Sequence, residues 1–305
     1  MTTQSNAAPG SALDSHGIAA VAATRPLYWS LRRELWENRS IYFAPLAVAG
    51  VILFGFLVRT PCGANGVLAL DPAQQRAAIA SAYDFPAGLM ILTAFVVGAF
   101  YCLDALHSER HDRSILFWKS LPVSDLTTVL SKASMPLVVL PLLIFAIVVI
   151  IQMSMLLLGS AVLLGHGRSA AALWGHVPLF KKSLTLLYAL TAIALWHAPL
   201  YGWLLLVSAW ARRAVLLWAV LPVFAIGVFE WIAFRTPYTQ LLLKHIFLGW
   251  YAAAFAFKPH GGPFAPPIAL DPGKFLSAPG LWIGLLVAAS FLAVAARLRR
   301  YREPM

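Results

Sequence analysis

The polar side chains whose spacing could support chemistry lie close together at residues 107–112. His107 and His111 are four residues apart and would share one helix face, with Glu109 and Asp112 nearby. Imidazoles and carboxylates in such an arrangement are zinc ligands. The order His-Ser-Glu-Arg-His, however, does not match the His-Glu-x-x-His pattern of metalloproteases, in which the acid directly follows the first histidine. We therefore predict no metal site and no catalytic site here.

ATP hydrolysis would need a phosphate-binding loop of the form Gly-x-x-x-x-Gly-Lys-Ser/Thr. The two Lys-Ser pairs, Lys119-Ser120 and Lys182-Ser183, lack the preceding glycine. The chain is therefore expected to bind no nucleotide and no other cofactor of its own.

Two polar side chains inside apolar runs, Gln152 and Glu230, could line a substrate path or serve packing. Acids within a span are functional candidates by default, but Glu230 lies one turn from Arg235 and could form an ion pair with it. Gln152 could instead hydrogen-bond across helices. A membrane-embedded enzyme would need clustered polar groups, whereas these two, Asp104 and His197 are scattered over the sequence.

Apolar residues dominate the composition. Hydrophobic residues make up 60% of the 305 positions, charged residues only 11%, and the mean hydropathy is +0.77, whereas a soluble domain carries roughly 25% charged residues. Such a chain cannot cover its surface with polar groups in water. The net charge of +11 does not indicate a nucleic-acid partner, because no recognisable binding motif accompanies it. The composition predicts an integral membrane protein.

Six apolar runs approach or exceed the roughly 20 residues that a helix needs to cross the hydrocarbon core. In lipid the backbone must satisfy its own hydrogen bonds, and the runs lack the alternation of barrel strands. We therefore predict an all-α membrane protein with a six-helix transmembrane domain over residues 41–296. The runs are 41–58, 86–106, 135–164, 184–210, 214–234 and 281–296.

The flanking segments differ in character. Residues 1–24 are rich in Ala, Ser, Thr and Gly and are expected to form a flexible tail. Residues 25–40 combine apolar residues at helical spacing with charges between them, which predicts an interfacial amphipathic helix. Residues 297–305 form a basic tail, in which Arg299 and Arg300 are assigned to anchoring alone. The apolar positions of the first helix are Leu27, Tyr28, Leu31, Leu35 and Trp36.

Lys and Arg favour cytoplasmic loops, and most of them here precede the first run, follow the second and fourth, or follow the sixth. We therefore expect a multi-pass protein of the cell membrane, in a bacterial inner membrane, with both termini in the cytoplasm. The loop 235–280 is then outside. Its apolar stretch 241–257 is expected to form a re-entrant or surface-lying hairpin, because a seventh span would place the basic tail outside.

The cytoplasmic loop 107–132 has the pattern of a docking surface. It begins with charges, continues with apolar residues, turns at Pro122, and restarts at Ser124 or Asp125, either of which can cap a helix. A basic anchor alone would not require large apolar residues between the charges. The residues expected to contact a partner are Glu109, Arg110, Ile115, Leu116, Phe117, Trp118 and Pro122.

This loop resembles that of the type-2 ABC exporter permeases. The resemblance lies in an acidic-basic pair, a short hydrophobic helix, a Pro-Val-Ser turn and a downstream lysine. The interfacial first helix, six spans and long outer loop extend it over nearly the whole chain. The matching residues are Glu109-Arg110, Ile115-Leu116, Pro122-Val123-Ser124 and Lys132.

The resemblance implies a transport subunit without enzymatic activity of its own. Two permeases would form a homodimer and assemble with two separate ABC ATPase subunits, which bind ATP and Mg and pass their closure through the loop to the spans. Scarce charge within the spans favours an amphipathic or lipid-like cargo, and export rests on the resemblance. A membrane-embedded enzyme and a structural assembly factor are the alternatives.

Overall fold

The computed structural model describes residues 24–68, 71–111, 124–165, 167, 171–256 and 269–301, and nearly all of them are helical. The helices up to the first long loop are α1 (Thr24–Glu37), α2 (Ser40–Leu68), α3 (Pro72–Ala105) and α4 (His107–His111). Next come α5 (Asp125–Ser134), a π-helical segment (Met135–Val139), α6 (Leu140–Gly165), α7 (Ala171–His176), α8 (Leu179–Trp196) and α9 (Ala198–Trp210). The remaining elements are α10 (Val215–Phe234), α11 (Tyr238–Ala254), the strands β1 (Phe255–Ala256) and β2 (Ala269–Leu270), α12 (Pro272–Ser277) and α13 (Pro279–Tyr301).

Six of the described helical stretches are long and apolar enough to cross a membrane, as predicted. They also present large apolar side chains on their outer surface; Phe54, Phe229 and Leu286, for example, are 67–73% exposed. A protein in water rarely leaves so much contiguous apolar surface uncovered, so the surface indicates a multi-pass membrane protein. The stretches are Ser40–Arg59, Ala78–His111, Asp125–Gly165, Leu173–Trp196, Val215–Phe234 and Pro279–Tyr301.

The fourth predicted run, 184–210, is not one helix. It divides into α8 and α9 at His197, whose backbone leaves the helical region. Pro199 explains the break, because its ring nitrogen carries no hydrogen for the carbonyl four residues earlier. The shorter α9 lies at the centre of the bundle. Gly202 permits its close contact with α13: a Cβ at this position would lie 3.3 Å from the backbone oxygen of Ala288.

The third span begins earlier than predicted because α5, the π-helical segment and α6 form one continuous stretch. In the π-helical segment, the amide of Leu140 donates to the carbonyl of Met135, five residues back. Pro136 and Pro141 bracket this change of register, and neither can donate the usual helical hydrogen bond. The local backbone bonding of this span is therefore weakened at one defined place.

The predicted outer loop contains α11, a two-residue antiparallel pairing of β1 with β2, and α12. Trp196 Nε1 donates to the carbonyl of His245 at 3.2 Å, which fastens α11 to the end of α8. A helix followed by two short paired strands is present where a hairpin was predicted. Its depth in the membrane remains a prediction.

Candidate functional site

Only Leu106 separates α3 from α4, and its backbone stays in the right-handed helical region. Ser208 Oγ of α9 accepts hydrogen bonds from the amides of Leu106 and His107, at 3.1 and 3.0 Å. These amides lie at the junction of two helices, and the hydroxyl satisfies them there. Arg110 Nη1 of α4 donates to the carbonyl of Ala209 in α9, which adds a second contact between these two helices. Glu109 and Arg110 are thereby fixed at one end of the bundle.

The other side of the loop is fixed by the start of α5. Ser124 is the N-cap of this helix, and its hydroxyl accepts from the amide of Thr127 at 3.1 Å, which is the predicted capping interaction. Asp125 occupies the first turn, where a carboxylate is favoured by the helix dipole. Lys132 lies two turns further and is only 2% exposed. A buried lysine at this point needs nearby anions.

Glu109 supplies one of these anions and connects three cations. Its Oε1 lies 3.1 Å from Lys132 Nζ and 3.0 Å from Arg33 Nη2. Its Oε2 accepts from Arg299 Nη1 at 2.7 Å. These contacts join α4 to α5, α1 and α13. Residues from both ends of the described chain therefore meet at one carboxylate.

Glu34 supplies the second anion and is fully buried. Its Oε1 lies 2.8 Å from Lys132 Nζ and 2.9 Å from Arg33 Nη2, while Tyr101 Oη donates to Oε2 at 2.8 Å. Asn38 adds a longer contact to Oε2. The carboxylate thus has both ionic and neutral partners.

Arg299 completes the arrangement. Its Nε lies 3.1 Å from Asp125 Oδ1, so one guanidinium bridges the residues just before and just after the loop 112–123. We refer to the interacting charged residues as the ionic cluster. Its members are Arg33, Glu34, Glu109, Asp125, Lys132 and Arg299.

Among the described residues, the six members of the ionic cluster are three cations and three anions, and a fourth carboxylate, Glu37, lies 3.5 Å from Arg33 Nε at the periphery of the cluster. Taking charges out of water is costly, and mutual attraction offsets this cost only where geometry and hydrogen bonding are good. The pKa of Glu34 lies below its ordinary value. Burial alone would raise it, but the Lys132 ammonium, the Arg33 guanidinium and the Tyr101 hydroxyl together outweigh burial. At Glu37, beside the ionic cluster, burial outweighs the attraction of Arg33 and raises the pKa of the carboxyl group.

The predicted contact residues divide into two groups. Glu109 and Arg110 are 6% and 4% exposed, and their described contacts are within the chain. Both side chains are therefore largely enclosed by the chain itself. The other five predicted residues, Ile115, Leu116, Phe117, Trp118 and Pro122, lie outside the described residues.

Gln152 is buried in α6, and its Nε2 donates to the backbone oxygen of Tyr83 at 3.3 Å. Tyr83 lies one turn before Pro86, which interrupts the hydrogen bonding of α3. The contact therefore connects two helices, while the buried Gln152 Oε1 has no hydrogen-bond partner in the described part of the chain.

Glu230 does not form the expected ion pair with Arg235 in the described part of the chain. Its carboxylate accepts hydrogen bonds from the amides of Tyr238 and Thr239 and from the hydroxyls of Thr236 and Thr239. Tyr238 and Thr239 begin α11, where the amides have no partners within the helix, and Thr236 lies just before it. Glu230 therefore fixes the start of α11 against the end of α10.

The sequence interpretation missed Arg33, Glu34 and Asp125, and it assigned Arg299 to anchoring alone. Arg299 is instead 5% exposed and belongs to the ionic cluster. Its helical position offered a signal, because it continues the buried face that Ala288 and Ala295 form on α13. Glu34 likewise lies between Leu31 and Leu35, on the face of α1 that packs inward.

The described residues contain no group of three or more His, Cys, Asp or Glu side chains arranged to hold a metal ion. No model of a known protein family matches the chain, and neither does any curated protein or solved structure.

Proposed function

We propose that the chain is the membrane-spanning subunit of an ATP-driven ABC exporter whose ATPase is a separate polypeptide. The observation that supports this most is the bridging of the loop 112–123 by Arg299. The guanidinium contacts Glu109 before the loop and Asp125 after it. Residues on both sides of the segment 112–123 are thus held against the last helix, and Glu109 also contacts the first, which suits this segment to receive force from a partner.

Within this proposal, Glu109 and Arg110 are positioning residues. Their side chains are buried and hold the ends of the loop, so contact with the ATPase falls to residues 115–118 and Pro122. Phe117 and Trp118 are the strongest candidates, because large aromatic side chains usually dominate the energetics of an interface. A change at Glu109 would then affect docking through the shape of the loop.

A movement of the segment 112–123 would reach the membrane through one continuous helical stretch, Asp125–Gly165. Lys132 belongs to the ionic cluster and lies three residues before the π-helical segment Met135–Val139. Gly98 of α3 packs against this segment; a Cβ there would lie 3.3 Å from both Pro136 Cβ and Tyr201 Cε1. Insertions of this kind are frequent at functional sites. We propose that the third span bends here when the loop moves.

The cargo is proposed to be amphipathic or lipid-like. The proposed assembly contains two copies of the chain and two ATPases, with ATP and Mg bound by the ATPases. Its orientation places the ionic cluster and both chain ends at the cytoplasmic side. Arg33 of α1 and Arg299 near the end of α13 both contact Glu109, which supports placing the two chain ends on the same side of the membrane.

The experiment that tests this function uses the ATPase encoded beside the gene, provided that it carries a phosphate-binding loop. The chain purified alone should hydrolyse no ATP. Coexpressed with the ATPase, it should form a complex whose mass, measured by native mass spectrometry, corresponds to two copies of each subunit. ATP hydrolysis by the isolated chain, or a failure of the two proteins to associate, would contradict the proposal.

A further inference from the structure

Helix α1 has two chemically different faces. The inward face carries Leu31, Leu35 and the buried Glu34, which joins the ionic cluster. On another side of α1, and just beyond its end, aromatic and basic residues alternate at spacings of three, four and three residues. We call this set the outer stripe; its members are Trp29, Arg32, Trp36 and Arg39.

Trp29, Arg32 and Trp36 share one side of α1, because residues three and four apart are neighbours on a helix surface, and Arg39 follows in the two-residue connection to α2. All four are exposed; Trp29 is 58% and Trp36 is 69% exposed. The Arg32 guanidinium lies 5.4 Å from the centre of the Trp29 ring, a cation–π contact. The stripe therefore presents organised cations among flat aromatic rings, without a partner element from the described chain covering them.

The position of the outer stripe indicates what covers it. Only Asn38 and Arg39 separate α1 from α2, and α2 is the first membrane-length helix. Phe43 and Leu46, near the start of α2, are 59% and 51% exposed, as expected for side chains facing lipid. The outer stripe therefore lies at the level where acyl chains give way to headgroups. Tryptophan is enriched at this level, and arginine there meets lipid phosphates.

We propose that the outer stripe binds the headgroups of anionic phospholipids. Arg32 and Arg39 would contact the lipid phosphates, while Trp29 and Trp36 would lie in the interfacial layer. The selectivity for anionic over zwitterionic lipid comes from the two guanidinium groups. Since α1 holds Glu34 on its other face, bound lipid would also stabilise the position of the ionic cluster. This proposal does not depend on the transport function.

The test measures the melting temperature of the purified full-length chain in a neutral detergent. Mixed micelles with increasing fractions of phosphatidylglycerol or phosphatidylcholine are added. The wild-type chain should be stabilised at a much lower mole fraction of phosphatidylglycerol. The double variant Arg32→Gln/Arg39→Gln should raise the half-saturating mole fraction about 30-fold, because each basic residue near an anionic surface contributes about 1 kcal/mol. Added salt should reduce the wild-type preference.

Two matched variants separate the outer stripe from general basic charge. Arg32→Lys/Arg39→Lys retains both charges and should keep most of the preference for phosphatidylglycerol. Arg212→Gln/Arg213→Gln removes two exposed arginines from the connection between α9 and α10 and should behave like the wild type. The melting temperature without added lipid checks that each variant is folded.

Equal stabilisation by the two lipids would overturn the proposal. Equal losses in the Arg32/Arg39 and Arg212/Arg213 glutamine variants would overturn the assignment to the outer stripe. A glutamine variant of the stripe that loses affinity for the ATPase but keeps the lipid response would show that the stripe binds protein instead. Because the readout uses the chain alone, failure of this proposal is distinguishable from failure of the transport proposal.

Discussion

Replacing Lys132 by Met removes the cation that two buried carboxylates share. Lys132 Nζ lies 2.8 Å from Glu34 Oε1 and 3.1 Å from Glu109 Oε1. Met keeps most of the unbranched apolar stem, so the packing around α5 changes little. The substitution therefore tests the electrostatic contribution, since both carboxylates stay in place with one cation fewer.

The expected loss follows from the burial of all three groups. Their side chains are 0–7% exposed, and removing one partner of such a buried pair costs about 3–5 kcal/mol. Lys182 provides a matched control. It pairs with Asp84 in the N-terminal half of α3, but the Asp84 side chain is 64% exposed. Lys182→Met should therefore cost about 0–1 kcal/mol.

The assay is thermal unfolding of the purified chain in a mild detergent. At about 2 °C per kcal/mol for a chain of this size, Lys132→Met should lower the melting temperature by roughly 6–10 °C, and Lys182→Met by at most roughly 2 °C. The double variant Lys132→Met/Glu34→Gln should recover part of the loss, because neighbouring substitutions in one ionic network are not additive. Equal effects of the two single Met variants would refute the argument that burial makes the ionic cluster important.

Gly98→Leu should destabilise the chain by about 1–3 kcal/mol in thermal unfolding, because the larger side chain would overpack against Pro136. Gly50→Leu should be tolerated, because a Cβ at Gly50 has no neighbour within 4 Å. Equal losses of stability in the two variants would contradict this prediction. Because the folded-state pKa of Glu34 lies below its ordinary value of 4.5, its contribution to stability is present above pH 4.5 and is lost as the pH falls through the folded-state pKa. Glu34→Gln should therefore flatten the pH dependence of the melting temperature in that acidic range, and an unchanged profile would argue against this assignment. Glu230→Ala should accelerate amide hydrogen exchange in the first turn of α11, and unchanged exchange would show that the carboxylate does not hold that turn.

The membrane-length helices were predictable because hydrocarbon thickness imposes a minimum apolar length on each. The ends of these helices were less predictable, because a helix can continue into polar sequence beyond its apolar run. The third span reaches back to Asp125 because Ser124 caps it in a polar segment. The division at His197 could have been predicted from Pro199, whose missing amide hydrogen interrupts a helix.

The ionic cluster was predictable only in part. Glu109 and Lys132 lie in the segment 107–132, whose sequence pattern predicted a docking surface. Their partners Glu34 and Arg299 come from opposite ends of the chain; Arg299 and Glu109 are 190 residues apart. No local periodicity pairs such residues. Trp36, one of the apolar positions of the predicted interfacial helix, is 69% exposed, which in a membrane protein is compatible with lipid contact.

The most direct measurement of the central claim is the dissociation constant between the ATPase and the chain in lipid nanodiscs. Phe117→Ala/Trp118→Ala should weaken binding by about 2 kcal/mol or more, which is roughly 30-fold, with the melting temperature of the chain unchanged. The control Phe180→Ala/Trp231→Ala removes two exposed aromatic residues at the end of the bundle away from the ionic cluster and should bind as the wild type does. Wild-type affinity of the loop variant, or an equal loss in the control, would contradict the account.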